Sequence, residues 1–261
     1  MKKENVYGSF GILPKEEMLE VKKNFERLSI GIPKESSFQE NRIALTPDSV
    51  SILAHNGHEI IIESGAGNQA NFSDEEYKKS GARIVATKEE VYKSDIIVKI
   101  EPPTKSELKL LQKGQKLISA IQLKTREKKY FNELLKKDIS ALAIEQIKDN
   151  EGKLSLLRSM SEIAGTTSLL IAAEYLSNVN EGKGLMLGGI TGISPTEVVV
   201  IGAGTVGEFA CRTALGLGAS VRVFDNSSSR LRRLQQSLTQ RISTSTIQPK
   251  SLGKALRRAD V

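Results

Sequence analysis

The sequence is poor in the residues that build disulfides, metal clusters and aromatic surfaces. Its 261 residues include one cysteine, no tryptophan and two histidines. A single cysteine, Cys211, excludes an internal disulfide and a cysteine-based metal cluster, and we expect no metal site. Because Cys211 falls within an apolar stretch, we expect its thiol to be a buried small hydrophobic group.

Long apolar runs are also missing. No run approaches the roughly 20 residues that a membrane-spanning helix needs, and Met1–Asn5 lacks the pattern of a secretory signal. We therefore expect a cytoplasmic protein with no membrane partner. The net charge is +7, but the basic residues are scattered and few aromatics accompany them. This favours a solvated basic surface over a nucleic-acid site.

A glycine-rich turn is the most informative feature of the chain. The hexapeptide Gly202-Ala203-Gly204-Thr205-Val206-Gly207 follows the β-branched run Val198–Ile201 and precedes an apolar-periodic stretch. This strand–turn–helix context is typical of the dinucleotide-binding fingerprint. We expect Gly202 to allow the turn, Gly204 to admit a pyrophosphate and Gly207 to let helix and strand pack closely. Thr205 and Val206 would then open the helix whose N–H groups bind the pyrophosphate.

Asp225 stands at the end of the next predicted strand, Val221–Phe224. A carboxylate about 20 residues beyond the glycines accepts hydrogen bonds from the ribose hydroxyls of NAD and repels the 2′-phosphate of NADP. The pattern therefore predicts NAD as the cofactor. Two other interpretations stay open: a glycine turn that binds nothing, and an aspartate that caps the following helix.

Short strands alternate with helices through the chain, which predicts parallel sheets covered on both faces. The expected fold is α/β, with two Rossmann-like domains of which the second is truncated at its C-terminus. Helix starts are indicated at Thr46-Pro47, at Ser73–Glu76 and, by the same capping pattern, at Thr87–Glu90. The segment Ser161–Leu176 is apolar enough for a buried helix. The strands of the first domain are predicted at Ser29–Ile32, His58–Glu63, Arg83–Val85, Asp95–Ile100, Lys116–Ile121 and Ile139–Ile144.

Four segments are expected along the chain. Residues 1–28 form an N-terminal extension with a charged helix from Pro14 to Arg27, and residues 29–160 form a first α/β domain, which the family resemblance given below implies to be the substrate domain. Residues 161–192 supply a linker helix and a glycine-rich segment, and residues 193–261 supply the first half of an NAD-binding Rossmann domain. Since a complete dinucleotide fold has about six strands, we expect the sequence to be a fragment of a longer protein.

Several motifs, from Ile30 to the C-terminus, carry a family resemblance. They are Ile32-Pro33-Lys34-Glu35, Asn41–Pro47, Glu63–Gly67, Met160–Gly165, Gly202-Ala203-Gly204 and Leu217-Gly218-Ala219. With these motifs the chain resembles the alanine dehydrogenases, within a wider group that includes the NAD-binding subunit of proton-translocating transhydrogenase. The resemblance implies oxidation of L-alanine to pyruvate and ammonia, with hydride transfer to NAD. It also implies a small amino- or keto-acid substrate and a homo-oligomer.

The resemblance also implies site residues. Arg42 matches the arginine that binds the substrate carboxylate, and a surface salt bridge stays open as its other interpretation. Lys99 matches the first lysine of a Lys-x-Lys-Glu-Pro segment and is expected on the substrate-binding side, where it offsets the charge of Glu101. Glu101 stands where the family has its catalytic lysine, and Gln122 stands where it has a catalytic histidine. An amide cannot relay a proton near neutral pH.

These two departures leave alternatives to the dehydrogenase interpretation. One is an NAD-binding homologue without alanine turnover, either degenerate or similar to the transhydrogenase subunit. A saccharopine-dehydrogenase-like protein shares the expected fold but has weaker motif support.

Overall fold

The computed structural model describes residues 27–37 and 39–261. Two compact units divide at the end of the fourth strand, and the second unit is Lys99–Val261. The expected N-terminal extension, with its charged helix from Pro14, lies outside the described residues apart from Arg27 and Leu28. The fold class is α/β, as the sequence predicts.

Six strands form the first sheet, in the order β3-β2-β1-β4-β5-β6. Ile30 of β1 pairs in parallel with Ile60 of β2 and with Ile96 of β4. The isoleucines of β1 and β2 are almost all buried, as expected for a parallel sheet that is covered on both faces. All six predicted strands are confirmed to within two residues at each end. Their bounds are β1 Ser29–Ile32, β2 Glu59–Glu63, β3 Arg83–Val85, β4 Ile96–Val98, β5 Lys116–Ser119 and β6 Ser140–Ala143.

The helices among these strands begin largely where the capping signals place them. Thr46 caps the first by accepting the Ser49 N–H at 3.4 Å, and Ser73 and Glu76 form a complete capping box. The prediction of a capping box at Thr87 was wrong, because its hydroxyl donates to the Glu90 carboxylate at 3.0 Å and caps no backbone N–H. The helices are α1 Pro47–His55, α2 Asp74–Lys79, α3 Lys88–Val91, α4 Lys105–Leu110 and α5 Lys128–Lys136.

A long helix, α6 (Ser155–Leu176), leads to the second sheet. Within the described chain this helix is only partly covered: Leu169 is buried, whereas Ile163 and Tyr175 are 66% and 70% exposed. Its contact with the next helix is close, since a Cβ added at Gly165 would lie 2.3 Å from the carbonyl oxygen of Val206. Apolar composition predicted the helix but not which of its faces is covered.

The second sheet is parallel, with strand order β7-β8-β9. Its core includes Cys211, which is fully buried as predicted, and burial raises the pKa of its thiol to about 12. Among the described residues, no helix has both the length and the apolar character needed to cross a bilayer. The remaining elements are β7 Glu197–Ile201, α7 Thr205–Gly216, β8 Ser220–Phe224, α8 Ser228–Ser237, β9 Ser243–Ser245 and α9 Pro249–Leu256.

Candidate cofactor site and substrate-side residues

The glycine-rich turn joins β7 to α7. Gly202 has a φ of +112°, a conformation that residues with a Cβ rarely adopt, and its N–H donates to the carbonyl of Phe224 at 2.7 Å. Gly204 is the N-cap of α7 and supplies no side-chain cap. The N–H groups of the first turn of α7 therefore have no capping side chain in front of them, which is the arrangement that binds a phosphate at a helix N-terminus.

The other two glycines have different surroundings. A Cβ added at Gly207 would lie 2.0 Å from the carbonyl oxygen of Gly202, whereas one at Gly204 would meet nothing within 4 Å. Gly207 is thus required for the packing of α7 against the turn. Gly204 instead leaves open space above the backbone, and Thr205 and Val206 help to line a cavity of about 530 Å³ there.

Asp225 follows β8 and holds the turn from the other side. Its Oδ2 accepts the Ala203 N–H at 2.7 Å, and its Oδ1 accepts the Ser227 N–H at 2.7 Å. These two backbone bonds hold the pKa of the buried carboxyl below its usual value. A carboxylate has about four lone-pair sites, so each oxygen keeps an acceptor site for a ribose hydroxyl. Arg230, with its Nη1 3.9 Å from Oδ2, is the nearest cation to this carboxylate.

Arg42 lies in the first unit, on the segment that follows β1. Its Nε donates to Glu40 Oε1 at 2.7 Å, and its Nη2 donates to Oε2 of the same carboxylate. The side chain of Glu40 is 6% exposed and that of Arg42 is 52% exposed. The hydrogen-bonded guanidinium lowers the pKa of Glu40. Glu40, which the sequence did not single out, thus fixes one edge of the guanidinium and leaves Arg42 partly accessible.

Lys99 lies in the second unit and is 1% exposed. Its Nζ lies 3.1 Å from Oε2 of Glu107, which is equally buried. Glu107 also completes a capping box with Thr104 at the start of α4. The sequence signal Thr-x-x-Glu could have identified that box, but it could not have identified the buried ion pair.

Gln122 lies beyond the end of β5 and has a φ of +57°. Its N–H donates to Oε1 of Glu145 at 2.7 Å, and the Ile121 N–H donates to Oε2 at 3.2 Å. A residue in the left-handed region is worth noting at a functional position. Glu145 therefore fixes the backbone at Gln122. The sequence did not single out this residue.

Two groups of predicted residues can be compared with this geometry. Five of the six residues predicted to bind a cofactor lie in the turn Gly202–Gly207, and the sixth, Asp225, is hydrogen-bonded to that turn. On the substrate side, Arg42 lies in the first unit, after β1, and Glu101 lies in the second unit, after β4.

Known proteins are similar to this chain in sequence and in fold. The family description "Alanine dehydrogenase/PNT, N-terminal domain" matches residues 31–164, and "Alanine dehydrogenase/PNT, C-terminal domain" matches residues 168–261. An alanine dehydrogenase of Methanococcus maripaludis is 39% identical over 233 residues, which are 89% of this chain and 62% of that protein. The chain thus spans about 62% of the length of this curated relative.

Solved structures agree with the sequence comparison. An L-alanine dehydrogenase superimposes with a TM-score of 0.78 at 34% identity, over 89% of this chain and 64% of the other. A transhydrogenase from Sinorhizobium meliloti gives a TM-score of 0.73 at 22% identity, over 88% and 67%, and shares the fold. The chain belongs to the alanine dehydrogenase/PNT family.

Proposed function

We propose that this protein is an NAD-dependent amino-acid dehydrogenase that oxidises L-alanine to pyruvate and ammonia. The observation that carries the proposal is the open cradle above Gly204 with Asp225 beside it. Gly204 leaves room for a pyrophosphate, and Asp225 keeps lone pairs for a ribose. The names of the similar proteins support the same activity.

The cofactor supplies the hydride acceptor when it is bound. The chain's own part is to hold it: the start of α7 would bind the pyrophosphate through free N–H groups and the positive end of the helix dipole. Asp225 is an anion held by two backbone bonds, and it would repel the extra phosphate of NADP. We therefore propose that Gly202, Gly204, Thr205, Val206, Gly207 and Asp225 bind NAD.

We propose that Arg42 binds the substrate carboxylate. Hydride transfer needs a fixed substrate orientation, and a guanidinium gives it through two parallel hydrogen bonds. Glu40 already orients the Nε edge of Arg42, and the Arg42 side chain stays about half exposed, which supports a role in binding a substrate. Lys99 lies two residues before Glu101 and its ammonium is buried against Glu107, so its part in this proposal is to fix the position of that segment.

A second candidate function is favoured by Glu101 and Gln122. In this proposal the protein binds NAD without alanine turnover, because neither side chain matches the lysine and histidine that the family resemblance implies at these positions. Losing one positioned acid or base costs a factor of roughly 10²–10⁴ in rate. In the enzyme proposal Glu101 is the replacement base.

Two measurements separate these functions. Calorimetric titration of NAD into the 261-residue chain should show saturable binding, and G204A should abolish it while the melting temperature is kept. Full retention of binding in G204A, or no binding to the wild type, would refute the cofactor site. NADH absorbance is then followed with L-alanine present. Saturable NAD binding without NADH formation, in a form that spans the full length of the relatives, would support the binding function and exclude the enzyme.

The proposal includes a cytoplasmic homo-oligomer that acts on a small amino or keto acid. Its support is the family resemblance, together with the exposed apolar side chains on α6, such as Ile163 and Tyr175. Sedimentation analysis tests the assembly: a species with the mass of one chain at every concentration would contradict it.

A further inference from the structure

A cavity of about 720 Å³ lies beside α4 and α5, and it shares no lining residue with the cavity at the glycine turn. Its volume is typical of a small-molecule site. Pro103, Leu108 and the ring of Tyr130 give it an apolar wall. The charged side chains that line it are Lys105, Lys109, Arg126, Lys129, Lys137, Glu127 and Glu133.

The charges around this cavity do not cancel. The Lys137 ammonium is engaged by three carbonyl oxygens at the end of α4, at 2.6–2.8 Å, and Glu133 pairs with Lys136 at 2.8 Å. One carboxylate, Glu127, then faces four further cations. Within the part of the chain that the structure describes, no carboxylate oxygen lies within 4.0 Å of any of them. These cations are Lys105, Lys109, Arg126 and Lys129.

Two donors at the cavity are buried without a partner. Arg126 Nε and the Tyr130 hydroxyl are buried, and neither has a hydrogen-bond partner among the described residues. The Arg126 guanidinium carbon lies 5.4 Å from the centroid of the Tyr130 ring, within the range of a cation–π interaction. Burial raises the pKa of Tyr130 to about 12, so its hydroxyl keeps its proton at neutral pH. Buried polar groups are normally satisfied, and leaving one without a partner is costly.

We infer that this cavity binds a small organic anion. A phosphate or carboxylate group pairs with the Arg126 guanidinium, and the lysines at the rim neutralise its charge. Because Arg126 Nε and the Tyr130 hydroxyl are buried in the free protein, these two side chains shift on binding, and the anion then accepts the hydrogen bonds that both donors lack. The apolar body of the ligand packs against Pro103 and Leu108. The site shares no lining residue with the cavity at the proposed NAD site.

The first test is calorimetric titration with three probes that share one ring: phenyl phosphate, benzoate and benzyl alcohol. Saturable binding of either anion, with no binding of the alcohol, is the expected result. The anion that binds more tightly identifies the headgroup as phosphate or carboxylate. Absence of binding by both anions at millimolar concentration, or equal binding of the alcohol, would overturn the inference.

The second test uses matched variants. R126Q should weaken the preferred anion by about tenfold or more, the usual effect of losing a charged hydrogen bond. Y130F should weaken it by roughly threefold to tenfold and leave the melting temperature unchanged or higher, because the deleted hydroxyl has no partner in the free protein. K128Q removes the same charge from an exposed α5 residue that does not line the cavity. Its affinity should be unchanged.

Either of two results in that series would overturn the inference. If R126Q and Y130F both bound the anion as tightly as the wild type, the proposed site would be wrong. If K128Q weakened binding by the same factor, the effect would come from net charge alone. NAD titration of each variant gives an independent readout, since all three should bind NAD as the wild type does.

Discussion

Asp225 reaches back from the end of β8 to accept the Ala203 N–H at 2.7 Å, in the middle of the glycine turn. The residue expected to choose the cofactor therefore also shapes the loop that would hold it. Substitutions at Asp225 will affect both properties, so a test of its specificity has to be a ratio of two affinities.

We predict that D225S lowers the preference for NAD over NADP by roughly tenfold, since the charge that repels a 2′-phosphate is lost. The measurement is the ratio of the two dissociation constants. D149S is the matched control, because Asp149 also accepts two backbone N–H groups but in an exposed turn. An unchanged ratio in D225S would exclude the specificity role.

The glycines of α7 give a second prediction, on stability. G207A should lower the free energy of unfolding by about 1–3 kcal/mol, because the added Cβ overlaps the Gly202 carbonyl oxygen. G216A, on the same helix with open space around the added Cβ, should raise it by roughly 0.5–1 kcal/mol. Denaturant unfolding measures both, and a stable G207A protein would contradict the packing described above.

Glu40 gives a prediction in pH. Its pKa is lowered in the folded protein, chiefly by the hydrogen-bonded Arg42 guanidinium. The ionised carboxylate therefore adds stability above the unfolded pKa of about 4.3, and this stability is lost as the pH falls through the lower folded value. Wild-type stability should decline more steeply than that of E40Q below about pH 4.3. If the free energies of unfolding of the two proteins fell equally as the pH was lowered, the Glu40–Arg42 ion pair would not be maintained in solution.

The buried pair of Lys99 and Glu107 should be sensitive to loss of one partner. We predict that K99M destabilises the protein by about 3–5 kcal/mol, because the buried Glu107 carboxylate would lose the Lys99 ammonium that lies 3.1 Å away. K136M is the control at the exposed Lys136–Glu133 pair and should cost less than about 1 kcal/mol. Chemical denaturation measures the loss of stability in each variant. Equal losses would mean that water hydrates the Glu107 carboxylate when Lys99 is replaced.

Gln122 and Glu101 give a prediction in catalysis. The double variant E101K/Q122H introduces the residue types that the family resemblance implies at these positions, and histidine tolerates the left-handed backbone of Gln122. If the wild type binds NAD without turnover, alanine-dependent NADH formation should rise by roughly 10²-fold or more in the double variant. If Glu101 is the working base, E101Q alone should abolish wild-type activity. If neither E101K/Q122H nor E101Q changed the activity, Glu101 and Gln122 would have no part in the mechanism.

The sequence predicted the strands well because parallel strands in a covered sheet are short apolar runs between turn signals. Isoleucine-rich β1 and β2 are examples. The glycine turn was equally predictable, since its backbone requirements leave few other residues possible at Gly202 and Gly207. These features depend on local chemistry, which a single sequence states directly.

Interactions between distant residues were not predictable in the same way. Glu145 accepts the N–H groups of Ile121 and Gln122 across more than 20 positions of sequence, and no local pattern marks that pairing. The cavity beside Tyr130 arises from two segments that carry ordinary helix signals. The assignments of Arg42, Lys99, Glu101 and Gln122 rest on family resemblance and stay predictions.

The close contact at Gly165 means that a ligand bound at the start of α7 would also affect α6. No side chain separates α6 from the first turns of α7 at that glycine, so the two backbones have no soft layer between them. A nucleotide that stiffens the beginning of α7 would also slow amide hydrogen exchange halfway along α6. A larger side chain at Gly165 would instead push the start of α7 away and tilt its N–H groups from the direction of a bound phosphate. Nucleotide affinity would then fall although the substituted residue does not touch the nucleotide.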